Sequence, residues 1–259
     1  MGTDRYAYAS RLRRMDPVAK ILFCALVLGV CLCCGGIAPG LATLLMMGLL
    51  SVFWGGVPGK VFLKFLTVPL AFLALGCLTI VVNAHPQGTP VLAGLSVGSQ
   101  VWGITRDSAF QGLAILSKSL GAISAMYFLA LNTPMTDVTL GLQRLKVPQL
   151  MIELMDLIYR FIFVLWDTAA AIRTAQDSRL GYTGFRRSIS SLGSLSSMVF
   201  LRAWNKADAI YSALESRGYT GSLATMAQTY QPGKTCYLIA PAVGFVQLLC
   251  CWLEVRYFG

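Results

Sequence analysis

A short phrase made of an acid, a serine and an arginine occurs twice in the polar half of the chain. The first copy is Asp177-Ser178-Arg179-Leu180-Gly181, and the second is Glu215-Ser216-Arg217-Gly218. Each follows a long helical pattern and contains a glycine where a helix is expected to end. A guanidinium is permanently charged and makes forked hydrogen bonds, so an arginine at a helix end suits an acidic groove on another protein. The duplication favours this docking role over two ordinary helix ends whose cations compensate the helix dipole.

Other patterns that resemble reactive sites are weak. Pro232-Gly233-Lys234-Thr235 ends like a nucleotide-binding loop, but Gln228 stands where the first glycine is required, and an apolar span follows. His85 is the only histidine, and the eight cysteines, three of them within 31–34, fall on or near apolar spans without histidine partners. We therefore expect no catalytic, cofactor-binding or metal-ligating residues in this chain.

The composition is that of an integral membrane protein. Of the 259 residues, 56% are apolar and 12% are charged, and the mean hydropathy is +0.66. Soluble domains contain about 25% charged residues. The net charge of +10 does not indicate nucleic-acid binding, because the basic residues cluster beside apolar spans, as in loops at the cytoplasmic face. The basic residues at 11–20 precede an apolar run without a small-residue cleavage site, so we expect the first span to stay in the protein.

Five stretches of about 20 apolar residues predict transmembrane helices, and the charge distribution predicts their orientation. The stretches are 18–36, 38–55, 61–82, 109–131 and 236–253. With the N-terminus in the cytoplasm, the loop 83–108 is external and the segment 132–235 is cytoplasmic. The predicted fold class is an all-α integral membrane protein, with these spans and a cytoplasmic platform of amphipathic helices. The predicted division is therefore 1–131 in the membrane, 132–235 in the cytoplasm, and 236–259 as a C-terminal transmembrane helix and tail.

The cytoplasmic segment is predicted to contain two long amphipathic helices and a short one. Residues 149–176 carry charges at helical spacings on one narrow stripe. These charges are Glu153, Asp156, Arg160 and Asp167. Residues 188–217 repeat the design with an apolar face. That face consists of Phe200, Trp204, Ala207, Tyr211 and Leu214. The stretch 133–146, with Pro134 in its first turn and Pro148 beyond its end, predicts the short helix, and we expect all three to form one platform.

Several phrases spread over nearly the whole chain match one known family. They are Met15-Asp16-Pro17-Val18-Ala19-Lys20, Thr133-Pro134, Leu145-Lys146-Val147-Pro148, Tyr159-Arg160-Phe161-Ile162-Phe163-Val164-Leu165, Ala175-Gln176, Phe200-Leu201-Arg202 and Ser216-Arg217-Gly218-Tyr219-Thr220-Gly221. This set resembles the CbiQ/EcfT family, the transmembrane T components of energy-coupling factor (ECF) transporters. In detail the chain is similar to the cobalt/nickel branch of that family.

The resemblance implies a scaffold that clasps a cobalt-binding S component in the membrane and rests two coupling helices on a cytosolic ATPase dimer. It also implies that a small residue, an arginine and another small residue at each helix end enter a groove on one ATPase. The second copy of the phrase fits this pattern, whereas in the first copy Leu180 takes the place of the second small residue. The residues expected to bind the ATPases are Ser178, Arg179, Leu180, Gly181, Ser216, Arg217 and Gly218.

The expected function is that of the T subunit of an ECF-type ABC importer for cobalt, which passes ATP-driven motion to the S component and is not itself an enzyme. The ATP would be bound by the partner ATPases, and this chain would hold no cofactor. The expected location is the inner (plasma) membrane, with lipid and two kinds of protein as partners and no nucleic acid. One alternative is the same role for nickel or a vitamin. Another is a stand-alone secondary transporter, although neither its mid-membrane ionisable sites nor inverted repeats are visible in the sequence.

Overall fold

The computed structural model describes residues 2–86, 93–97, 100–219, 230 and 232–258, and most of them are helical. The helices are α1 (Gly2–Ala9), α2 (Pro17–Cys33), α3 (Ala38–Leu49), α4 (Gly59–Val81), α5 (Arg106–Asn132), α6 (Met135–Arg144), α7 (Gln149–Asp177), α8 (Phe185–Ser216) and α9 (Lys234–Phe258). A 3₁₀ turn at Arg11–Arg14 precedes α2, and a π-helical turn at Leu50–Trp54 extends α3.

Each of the five predicted spans is a helix in the structure. The helices α4 and α5 and the stretch Thr235–Glu254 of α9 are long and apolar enough to cross a membrane, and α2 and Ala38–Trp54 are shorter apolar helices. The chain is therefore an all-α membrane protein, as predicted. The fourth span begins earlier than predicted, at Arg106, where the Thr105 amide donates to Ser108 Oγ at 3.0 Å and so ties the start of the helix to its first turn.

The helices α2, α3, α5 and α9 share one apolar core. Phe23 and Phe128 lie at its centre, edge to face, with ring centroids 5.5 Å apart. The helices α3 and α5 approach closely, since a Cβ atom added to Gly121 would lie 2.7 Å from the carbonyl oxygen of Gly40. Small residues allow this approach, and the resulting contact area contributes to helix association where lipid offers no hydrophobic driving force.

Polar side chains of α9 fix it to α2 and α3. The amide of Gln247, fully buried, donates to the carbonyl of Val27 at 3.2 Å and to Thr43 Oγ1 at 2.7 Å. Nearer the C-terminus, the Glu254 carboxylate accepts hydrogen bonds from the amides of Ile37 and Ala38 at 2.7 and 3.0 Å. A carboxylate at the positive end of the α3 dipole is favourable. These bonds hold the last predicted span against the first two.

The predicted external loop contains a small antiparallel sheet that was not predicted. Its strands are β1 (Val82–Pro86), β2 (Ala93–Val97) and β3 (Gln100–Ile104), and β3 pairs with both of the others. The sequence offered a signal, because Gly98-Ser99 between two runs with β-branched and aromatic residues is typical of a two-residue hairpin turn. His85 belongs to β1, where it pairs with Val101.

The chain divides into two compact units, Met1–Gly141 with Thr229–Gly259, and Leu142–Gln228. The second unit contains α7 and α8 and lies within the predicted cytoplasmic segment 132–235. Most of α6, which the sequence predicts to form one platform with α7 and α8, is assigned to the first unit. Asp137, Thr139 and Gly141 of α6 are buried in the first unit, because Gly141 allows close contact with Ile21 of α2.

Candidate docking interface

The first Ser-Arg phrase forms a tight helix end after α7, which we call the first tip (residues 178–181). The Ser178 hydroxyl donates to the carbonyl of Thr174 at 2.9 Å. The amide of Leu180 donates to the carbonyl of Asp177 at 2.9 Å, and the amide of Gly181 donates to the carbonyl of Gln176, also at 2.9 Å. This pair of bonds is the Schellman motif, which satisfies the last carbonyl groups of a helix.

The second phrase forms the same structure after α8, which we call the second tip (residues 216–219). Its Ser216 hydroxyl donates to the carbonyl of Ser212 at 2.8 Å. The amide of Gly218 donates to the carbonyl of Glu215 at 2.9 Å, and the amide of Tyr219 donates to the carbonyl of Leu214 at 3.0 Å. The two tips therefore share one pattern of hydrogen bonds, residue for residue, with Arg179 at the position of Arg217.

Both arginines have exposed side chains on an ordered backbone. Arg179 and Arg217 are exposed, and neither guanidinium has a hydrogen bond or an ion pair with any residue that the structure describes. Their backbones are fixed by the motif, whereas their side chains remain available to a partner. Because the backbone is already ordered, binding of the guanidinium to a partner costs less conformational entropy.

The tips differ at the residue with left-handed backbone. In the second tip it is Gly218, with φ +73°, and in the first it is Leu180, with φ +60°. A glycine follows the end of each helix, as the sequence predicts, although Gly181 lies one residue beyond the left-handed position. Gly181 is needed for another reason, because an added Cβ atom would lie 2.8 Å from both Gln176 O and Ser191 Oγ.

The first tip is braced against the start of α8. Tyr182 Oη donates to Gln176 Oε1 at 2.8 Å, and the Gln176 amide group donates to the carbonyl of Ser191 at 3.1 Å. Ser191 Oγ in turn donates to the carbonyl of Gly181 at 2.8 Å. Arg173 lies over the Tyr182 ring, 5.7 Å from its centroid. This network fixes the backbone that carries Arg179.

The second tip is braced against the start of α7. Tyr219 Oη donates to Glu153 Oε2 at 2.8 Å, and Gln149 donates to Glu153 Oε1 at 3.0 Å. Glu153, part of the charged stripe predicted from sequence, is 7% exposed and is therefore paired rather than solvated. The hydrogen bond to Glu153 raises the pKa of Tyr219 above its ordinary value. Sequence reasoning missed Tyr182 and Tyr219 as bracing residues, although the repeated Tyr-Thr-Gly that follows each arginine was a usable signal.

These contacts make α7 and α8 antiparallel and place the tips at opposite ends of the pair. The second tip lies beside Glu153, whereas the first follows Asp177. At 1.5 Å per residue, this separates the two arginines by about 40 Å along α7.

An apolar groove of about 420 Å³ runs between α7 and α8. Its lining includes Leu157, Phe161, Leu165, Ala207, Ile210 and Leu214. Along α8, Phe200, Trp204 and Tyr211 of the predicted apolar face are 64%, 67% and 59% exposed. Apolar surface of this extent is typical of an interaction site or of contact with lipid.

The weaker sequence patterns gain no support from the geometry. All eight cysteines are free, and the described residues contain no group of three or more His, Cys, Asp or Glu side chains that could hold a metal. In the loop that resembles a nucleotide-binding motif, Gly233 packs on Ala19 of α2. Lys118, in the middle of α5, is half-buried, and its carbonyl accepts a weak hydrogen bond from Cys31 at 3.8 Å.

A family model described as CbiQ, cobalt transport protein, matches residues 9–229. This chain belongs to the CbiQ family. The match covers both tips and the CbiQ-like opening phrase at 15–20. Together with the apolar helices, it shows a multi-pass membrane component of the cobalt transport family.

Three curated proteins are similar to this chain over most of its length. The CbiQ cobalt transport protein of Salmonella typhimurium is 30% identical over 220 residues, which cover 85% of this chain and 97% of that protein. An uncharacterized protein of Methanocaldococcus jannaschii is 30% identical over 93% of this chain and 88% of its own length. A fused cobalt transport protein CbiMQ of Methanocorpusculum labreanum is 33% identical over 85% of this chain, which spans 37% of that longer protein.

Proposed function

We propose that this chain is the transmembrane coupling (T) component of an ECF-type importer for cobalt. In this role it transmits the motion of two cytosolic ATPase subunits to a membrane-embedded S component that binds the metal. The observation that carries the proposal is the pair of matched helix ends, each with a fixed backbone and an arginine without a partner among the described residues. Family membership supports the transport role, and the geometry of the tips supports the coupling role.

Each tip fits one ATPase subunit. A guanidinium inserted into an acidic groove forms charge-assisted hydrogen bonds, which are about twice as strong as neutral ones. The separation of about 40 Å along α7 lets the tips engage the two halves of an ATPase dimer. The contact residues would be Ser178, Arg179, Leu180 and Gly181 on one half, and Ser216, Arg217 and Gly218 on the other. ATP binding and hydrolysis would then belong to the ATPases, and this chain would contribute no catalytic residue or cofactor.

The apolar groove between α7 and α8 fits the S component or lipid. Exposed aromatic side chains beside it offer a surface on which apolar helices can slide without breaking hydrogen bonds. The fused relative is named for two components, CbiM and CbiQ, which supports a membrane partner that works beside a chain of this type. The metal would be carried by that partner, so cobalt, nickel or a vitamin as cargo depends on its identity.

The proposed location is the inner (plasma) membrane with the N-terminus in the cytoplasm. The basic residues that precede α2 support this orientation, because Lys and Arg are enriched in cytoplasmic loops. The second unit, with both tips, would then face the ATPases. This topology follows the charge distribution over the whole chain.

The proposed mechanism is mechanical. ATP binding closes the ATPase dimer and changes the spacing of the two tips, and α7 and α8 pass this displacement to the S component, which tilts to load or release its metal. Such a device needs two packed arrangements whose balance is shifted by nucleotide.

Uptake of radioactive Co²⁺ into vesicles tests the proposal against a solitary carrier. The chain is reconstituted alone, with its ATPase, and with both the ATPase and the S component, and Ni²⁺ is the competitor that tests the alternative cargo. We expect ATP-dependent uptake from the complete set and none from the chain alone. Uptake by the chain alone, driven by an ion gradient, would show a secondary transporter and refute the coupling role.

A further inference from the structure

The chain joins its two compact units at two places. It leaves the first unit between Gly141 and Leu142, within α6, and it returns between Gln228 and Thr229. Any displacement that travels along the backbone from the second unit therefore enters the first unit through these two connections.

Both connections pack on the same two turns at the start of α2. On the outgoing side, a Cβ atom added to Gly141 would lie 2.7 Å from Ile21 Cδ1 and 3.5 Å from Pro17 Cβ. On the returning side, a Cβ atom added to Gly233 would overlap Ala19 Cβ. At Gly233 a larger residue would collide with the fixed Ala19 Cβ atom, and at Gly141 it would displace the end of the Ile21 side chain, so both connections lie in close contact with α2.

A side-chain hydrogen bond ties the two connections to each other. Tyr230 Oη donates to Asp137 Oδ1 at 3.0 Å across 93 positions of sequence. Asp137 is 2% exposed, and its second carboxylate oxygen has no hydrogen-bond partner among the residues that the structure describes. A buried carboxylate in this state needs a nearby positive charge to offset the loss of hydration.

Lys20 of α2 supplies that charge. Its side chain is fully buried, and its ammonium donates to the carbonyl of Leu12 at 3.1 Å. Asp137 attracts this ammonium electrostatically. The lysine therefore places a positive charge in the same region as the carboxylate, while its own hydrogen bond is to the 3₁₀ turn before α2. The phrase that ends in Lys20 begins with Asp16, whose carboxylate caps α2 by accepting from the Val18 amide at 3.2 Å.

We propose that the Tyr230–Asp137 hydrogen bond, supported by the nearby charge of Lys20, forms an entry-exit clamp, which makes the outgoing and returning connections move as one body with α2. Its mechanical role rests on the proposed coupling function, whereas its existence does not. With the clamp closed, a displacement of the helix tips is delivered to the start of α2. With the clamp open, part of that displacement is lost as motion of one connection relative to the other. The three residues act by positioning, since their role is to fix these connections.

The substitution Tyr230→Phe tests the clamp with the smallest change, because it removes one hydroxyl group. The matched control is Tyr237→Phe, the same substitution in α9 at a ring that is 54% exposed. Two measurements are made. The first is hydrogen exchange of the full chain in lipid nanodiscs, and the second is the amount of Co²⁺ imported per ATP hydrolysed by the assembled complex.

We expect Tyr230→Phe to speed amide exchange in both α6 and the first turns of α9, and the control to change neither. We also expect the variant complex to keep its ATPase and its rate of hydrolysis. Loss of one buried hydrogen bond shifts the balance between closed and open clamp roughly threefold or more, so Co²⁺ import per ATP should fall. A folding defect alone would lower the yield of complex but would leave import per ATP unchanged.

The outcomes separate the clamp from the proposed function. Unchanged exchange in Tyr230→Phe would overturn the clamp, and unchanged import per ATP would overturn its role in transmission. If the wild-type complex imports no Co²⁺, the proposed function fails, and the exchange measurement still decides whether the clamp exists.

A second set of variants tests the charge compensation. Lys20→Met and Asp137→Asn should each lower the yield of folded chain more than the double variant does, because each single change leaves one buried group without its partner. Losses that simply add in the double variant would show that the two charges act independently, and would remove Lys20 from the clamp.

Discussion

The two helix tips have the same hydrogen-bond pattern but different residues at the position where the backbone turns left-handed. Glycine adopts this conformation freely at Gly218, whereas a leucine pays about 1–2 kcal/mol for it at Leu180. The first tip keeps the conformation because Gln176, Tyr182 and Ser191 hold the backbone on either side. The comparison teaches that the matched feature is the presentation of the arginine, and that each tip reaches it by its own bracing.

The largest effect is expected where the first tip cannot accept a side chain. The second tip carries Tyr219 at the position of Gly181, so Gly181→Ala tests how far the tips are interchangeable. We expect it to destabilise the first tip by about 1–3 kcal/mol, because the new methyl group would crowd Gln176 O and Ser191 Oγ. Hydrogen exchange at the end of α7 measures the change.

The matched control for this substitution is Gly193→Ala in α8. No atom lies within 4 Å of the added methyl group there, and alanine favours a helix by about 1 kcal/mol over glycine. It should therefore slow exchange in α8. Equal slowing by Gly181→Ala would contradict the tight packing of the first tip.

The next effect separates the two bracing tyrosines. Tyr219→Phe should loosen the second tip more than Tyr182→Phe loosens the first, because Tyr219 donates to a carboxylate and Tyr182 to an amide oxygen. Faster amide exchange at residues 214–219 in the first variant, and at 176–181 in the second, measures the two effects. Equal effects at the two sites would show that the charge on Glu153 adds nothing.

Alkaline titration sharpens the same contrast. Since the pKa of Tyr219 is raised in the folded chain by its bond to Glu153, this bond contributes fully below the ordinary tyrosine pKa of about 10. The contribution is lost as the pH rises through the raised value. The difference in ultraviolet absorbance between wild type and Tyr219→Phe should therefore show one tyrosine that ionises late. A tyrosine that ionises at the ordinary pKa would contradict the bond.

The smallest effect is expected from exchanging the left-handed residues. Leu180→Gly should stabilise the first tip by about 0.5–1 kcal/mol. The backbone strain that it removes is larger than the stability lost through the greater conformational entropy of glycine in the unfolded chain. Gly218→Leu should destabilise the second tip by a similar amount, because space is open around it and backbone strain is the main cost. Exchange rates at the two helix ends should shift in opposite directions. Shifts in the same direction would show that the two tips do not share the same backbone conformation.

The sequence predicts what is local and periodic. The five spans follow from hydropathy, and the Ser-Arg phrases correctly mark the ends of α7 and α8. The sequence shows that Leu180 departs from the pattern of the second tip, but only contacts with the start of α8 show why a glycine is needed at position 181. The short sheet was missed because its strands are five residues each, inside a loop whose prolines indicate turns.

The long-range contacts are beyond such reasoning. Tyr219 binds Glu153 across 66 positions, and Tyr230 binds Asp137 across 93. No periodic pattern links these residues, since each pair is brought together by the packing of whole helices. The repeated Tyr-Thr-Gly could have pointed to Tyr219, but its partner Glu153 and the Tyr230–Asp137 pair are found only in three dimensions.

The central claim is tested most directly by the amount of ATPase that co-purifies with this chain from membranes that also contain the S component. Arg179→Ala/Arg217→Ala is compared with wild type and with Arg186→Ala/Arg202→Ala, which removes two exposed arginines of the same unit outside the tips. We predict that the tip variant reaches the membrane normally but loses the ATPase or its coupled Co²⁺ transport, while the control retains both. Full retention of ATPase and transport by the tip variant would contradict the account.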